Sequence, residues 1–174
     1  MTCERKDITL RVTNTSLHCP IGEKVGQQAL EDSKIPVLSC EGACIRGEIA
    51  RQAANMIAKE EPYGRGCHGE LMTVPQSAIS RWINAAGKVV VVDGCFLRCH
   101  GRILENHLAG DQLIQFDALS VYKKYNDIFN ADDVAEPERM ATARKVADHV
   151  LDALSSGVET SEQAVDEQGC GGCG

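Results

Sequence analysis

A chain of 174 residues suits one domain, with 1–34 expected as an added segment ahead of it, and its formal charge of −7 with no long basic run excludes a general nucleic-acid binder. No apolar run approaches the ~20 residues that cross a membrane, and polar Met1–Asp7 leads into no apolar leader region, so no membrane insertion and a cytoplasmic setting are expected. In a reducing compartment, nine cysteines point to metal binding or thiol chemistry rather than structural disulfides.

Within residues 1–34, Ile8–Val12 alternates apolar and polar, as a half-buried added strand would. His18-Cys19-Pro20 reads as a turn. Cys3 and Cys19 stand outside any pairing pattern and read as loose thiols. The domain proper is expected over 35–156. Ile35–Ser39 is a short apolar run typical of a buried parallel strand, and Cys40 and Cys44 follow it in SCEGAC. A helix is predicted over Ala43–Lys59, with Ile45, Ile49, Ala53 and Ile57 on one face. Tyr63–Gly69 reads as a loop carrying Cys67 and His68, Glu70–Val74 as a short strand, and Gln76–Ala86 as a helix.

Lys88–Val92 is the clearest strand, since four consecutive valines imply burial on both sheet faces. Asp93-Gly94-Cys95 ends it, and a helix is predicted over Phe96–Leu108 with Cys99 in its first turn. Gln112–Leu119 reads as a strand, with a helical turn around Val121–Tyr125 and a long helix over Glu138–Leu154 after Pro137. Residues 157–174 are small, polar and acidic, expected as a flexible tail ending in Cys170-Gly-Gly-Cys173. Strands alternating with helices predict an α/β fold: three-layer α/β/α with a mainly parallel sheet and the cysteine pairs at strand-to-helix turns.

Both core pairs have C-x3-C spacing, and both fall at the carboxyl edge of the predicted sheet, where ligands bind in such folds. Unpaired N–H groups at helix starts favour thiolates. Cys40, Cys44, Cys95 and Cys99 are therefore the expected ligands of one thiophilic ion, with zinc first. Copper(I), an iron–sulfur cluster or trivalent arsenic also suits soft ligands. Cys67 and His100 are candidate additional ligands; His68, beside Cys67, is a weaker candidate ligand or proton carrier whose default reading is an exposed polar residue, and His107 and His149 read as surface residues. A rival reading is thiol–disulfide chemistry with a thiol redox partner. There Cys95 attacks, Cys99 or Cys40 resolves, and Cys170 with Cys173 shuttles electrons, whereas in the metal reading the same tail dithiol loads, unloads or protects the site. Asp93 would cap the next helix, orient a site group or act as a base. No phosphate loop or nucleophile elbow is present, and no reaction is identified.

With its valine strand, the Asp93-Gly94-Cys95 tripeptide, the second Cys99 and the upstream Cys40/Cys44 pair, the stretch from Ile35 to Leu154 resembles the DGC-domain family. The resemblance implies zinc binding through four characteristic cysteines, matched here to Cys40, Cys44, Cys95 and Cys99, with no established reaction. Residues 1–34 and the terminal Cys-Gly-Gly-Cys fall outside it.

Overall fold

Strand β3 (Val89–Asp93) lies in the middle of a four-stranded sheet and is buried along its whole length. The computed structural model describes residues 8–157. Within them β1 (Ile35–Ser39), β2 (Tyr63–Arg65), β3 and β4 (Leu113–Asp117) form an all-parallel sheet in the order β2-β1-β3-β4. Seven α-helices accompany it: α1 (Pro20–Glu31), α2 (Ile45–Ile57), α3 (His68–Thr73), α4 (Ala78–Ala85), α5 (Cys99–Leu104), α6 (Ala118–Tyr122) and α7 (Glu136–Ser155).

The alternation of side chains along a strand explains why four valines in a row suit β3. Val90 and Val92 join a core with Ile49 and Ala53 of α2 and Val146 and Val150 of α7. Val89 and Val91 join a second core with Ile79, Trp82 and Ile83 of α4 and Leu104 of α5. Both faces are covered, which is the expected three-layer α/β/α arrangement. Each fully buried valine contributes roughly 1.5–3 kcal/mol.

Three local readings need correction. Ile8–Val12 forms no strand; Ile8 and Leu10 are more than four-fifths exposed, so alternation there has no sheet to pack on. The strand expected at Glu70–Val74 is the end of α3, which buries Glu70 and Leu71, while the sheet takes Tyr63–Arg65 from the supposed loop. The helix expected from Phe96 starts only at Cys99, because Arg98 has a left-handed backbone (φ 44°) and the Asp93 carboxylate accepts the N–H groups of His100 and Gly101. Helix α1 also lies where the sequence reads a turn. Cys19 caps it, Pro20 opens it, and Gly26 and Ala29 form its buried face, so it carries no large apolar stripe.

Connections leave β1 and β3 in opposite directions. From β1 the chain runs through α2 to β2 at one edge, and from β3 through α5 to β4 at the other. A crevice therefore opens between the carboxyl ends of these two neighbours, the usual binding position of open parallel sheets.

Candidate metal centre

Cys40 is the first residue beyond β1, and Asp93 is the last of β3, so both project into that crevice. The Cys40 N–H continues the ladder by donating to the Val92 carbonyl at 2.9 Å. Its side chain is buried, and its Sγ accepts the Gly42 N–H at 3.3 Å. The following turn is tight: a Cβ on Gly47 would lie 2.4 Å from the Gly42 oxygen, so this close backbone approach requires glycine.

Asp93 is fully buried. Its Oδ1 accepts the His100 N–H at 3.1 Å and its Oδ2 the Gly101 N–H at 3.0 Å, so a strand carboxylate caps α5. Burial pushes its pKa up, and the two N–H bonds oppose that rise. This cap turns the His100 ring towards the crevice. One ligand atom from each of Cys40, Asp93 and His100 lies within 4.8 Å of the others, and among the described residues no other set of three His, Cys, Asp or Glu side chains closes so tightly.

His68 stands beside this group. Its ring and that of His100 meet edge to face with centroids 4.7 Å apart. Burial, then His100 and Arg65, lowers the His68 pKa to about 4, so the imidazole is neutral at pH 7. His68 Nε2 and His100 Nδ1 are both buried without a hydrogen-bond partner. Arg65, at the end of β2, stiffens the same edge. It donates to the carbonyls of Val37 and Gly66, to Ser39 Oγ, to Asn55 Oδ1 and to Glu41 Oε1, tying β2 to the β1–α2 loop.

The other expected ligands surround the crevice without joining the close group. Cys44 immediately precedes α2 without a capping bond from its side chain, is half-buried, and pairs through its backbone with Asn130 in an isolated bridge. Cys95 is half-buried in the β3–α5 loop, and Cys99 is exposed at the start of α5 with Arg102 Nη2 3.9 Å from its Sγ. The left-handed Arg98 between them means that Cys95 and Cys99 do not share a helical turn. Cys67 follows β2 and immediately precedes α3, without a capping bond from its side chain, which puts it at the carboxyl edge of the sheet. Tyr122 has a buried hydroxyl without a partner; burial raises its pKa, and the neighbouring Cys44 and Cys95 add to the rise. All six described cysteines are free. Cys3, Cys170 and Cys173 lie outside the described residues.

The model of the DGC domain matches residues 36–146 of the chain. The protein belongs to the DGC-domain family. No curated protein and no solved structure matches it. In this DGC-domain protein the family tripeptide has a visible physical role: Asp93 caps α5 and faces the crevice, Gly94 lets its loop pass 2.9 Å from the backbone of α2, as measured from a Cβ built there, and Cys95 lies alongside. Imidazole, thiolate and carboxylate are donors that zinc and other borderline divalent ions accept. Two buried ring nitrogens without partners at the same place fit such an ion. His68 and His100 were harder to read than the cysteines, yet a signal exists: Cys-His-Gly occurs twice, at Cys67–Gly69 and Cys99–Gly101, each time opening a helix.

Proposed function

We propose that this is a thiolate-rich metal-binding protein of the cytoplasm and that its ion is zinc. The observation that carries the reading is the convergence of Cys40, Asp93 and His100 at the switch point of a parallel sheet. A buried carboxylate beside a buried thiol is unfavourable when both ionise, and a divalent cation compensates that charge. Zinc accepts sulfur, nitrogen and oxygen donors together, whereas copper(I) selects softer sets. Three protein ligands leave a further position for a neighbouring side chain or solvent. Cys44, Cys95 and Cys99, the rest of the expected four-thiolate set, would have to close on Cys40 to replace Asp93 and His100. In the arrangement proposed here they receive and release the ion instead, with Cys170 and Cys173 as a transfer dithiol.

The test is metal analysis of the full chain purified without added metal, before and after chelation and reconstitution. One zinc per chain, lost in Cys40→Ser, is expected. Substoichiometric metal that reconstitution does not restore sinks the reading.

The second reading is thiol–disulfide chemistry with a thiol redox partner, and it is favoured by the exposure of Cys67 and Cys99 beside half-buried Cys95. Exchange of Cys95 with a small disulfide, and loss of turnover in the Cys170→Ser/Cys173→Ser variant, would support it.

A further inference from the structure

The two Cys-His-Gly segments are distant in sequence but adjacent in space. Each opens a short helix, α3 after β2 and α5 after β3, and both helices contribute to the core on the same face of the sheet. Their histidine rings touch, at 4.7 Å between centroids and 67° between planes. Each ring leaves one nitrogen buried and unpartnered. Buried polar atoms are nearly always satisfied, so two unsatisfied ones side by side point to a group that both would bind.

We propose that His68 is a ligand of the same ion as Cys40, Asp93 and His100, so that the paired Cys-His-Gly helix starts form a two-histidine clamp. This rests on the metal-binding reading above and specifies its coordination as one thiolate, one carboxylate and two imidazoles. That donor set takes a borderline divalent cation of the zinc class rather than a purely thiophilic one. Nε2 of His68 stands outside the 4.8 Å set, and binding draws it in by rotation of a side chain that already contacts His100. A four-thiolate site would instead need Cys44, Cys95 and Cys99 to converge on Cys40, whereas the set that converges is Cys40, Asp93 and His100. The clamp leaves Cys19, Cys44, Cys67, Cys95 and Cys99 uncoordinated, so the thiols at this edge stay reactive while the ion is bound.

The experiment uses the full chain loaded with cadmium-113 and labelled with nitrogen-15 in histidine. Two histidines should show nitrogen coupling to the metal in the wild type and one in His68→Gln. His68→Gln should also weaken zinc binding by about 10-fold or more, while the control His107→Gln, at an exposed position, changes neither readout. A loaded wild type with a single coupled histidine, or a folded His68→Gln variant that binds zinc like the wild type, overturns the clamp and leaves the metal reading standing. A wild type that takes up no ion overturns both. If His68→Gln fails to fold, the wild-type spectrum decides alone.

Discussion

Replacing Gly101 with alanine sets two effects of known size against each other. Gly101 sits in the first turn of α5, where alanine gains up to about 1 kcal/mol of helix propensity. Its Cβ, however, would lie 2.4 Å from Gln115 Oε1 and 2.8 Å from Asp93 Oδ2. The glutamine amide ends a flexible side chain and can move aside. Asp93 is fully buried and held by the N–H groups of His100 and Gly101, so its carboxylate has no equivalent place to go. Weakening one such charge-assisted bond costs about 1.5–3 kcal/mol. The clash outweighs propensity, and Gly101→Ala is expected to lose about 1–2 kcal/mol in urea unfolding and to bind zinc more weakly. Adding Gln115→Ala should not restore either property, because it relieves only the softer contact. A Gly101→Ala protein as stable as the wild type with unchanged zinc affinity would refute the claim that Asp93 both caps α5 and faces the ion.

The lowered pKa of His68 makes stability of the chelated protein depend on acidity. The unfolded chain binds a proton near pH 6.5 and the folded one only at about 4, so this contribution is complete above the unfolded value and is lost as pH falls through the window between them. The whole window corresponds to about 3 kcal/mol, of which about 2 kcal/mol falls between pH 7 and pH 5, and His68→Phe should flatten that part in unfolding curves recorded at these two values; parallel curves for both proteins would contradict the burial of His68. Asp93, raised above 3.8, acts in the opposite sense, losing its contribution as pH rises, and the comparison of wild type with variant removes it. Gly26→Ala should destabilise the fold by about 1–3 kcal/mol, since its Cβ would meet the α4 backbone 2.3 Å away at the Ile79 nitrogen. A melting temperature at or above that of the wild type would show that α1 does not pack on α4 this way.

Periodic, large apolar residues made most of the framework legible. The valines of β3, the Ile and Ala face of α2 and the stripe of α7 each announce their element and its buried side. Where burial uses small residues the signal disappears: α1 turns Gly26 and Ala29 inward and leaves Ile21 and Val25 exposed. A three-residue strand such as β2 is too short to show a period, so the place of Cys67 at the carboxyl edge of the sheet is not legible from spacing. The site was legible in part for the same kind of reason. Cys40 and Asp93 come directly from strand ends, which sequence patterns locate well. His100 depends on the cap that delays α5, and His68 depends on α3 lying against α5, a tertiary contact that spacing along the chain does not encode.

In the proposed arrangement the crevice between β1 and β3 holds a zinc ion through mixed donors led by Cys40, Asp93 and His100. X-ray absorption at the zinc edge of the loaded full chain tests it most directly. One sulfur neighbour at ~2.3 Å and the remaining nitrogen or oxygen neighbours at ~2.0–2.2 Å are expected. A shell of four sulfurs would contradict it and return the ion to the cysteine quartet.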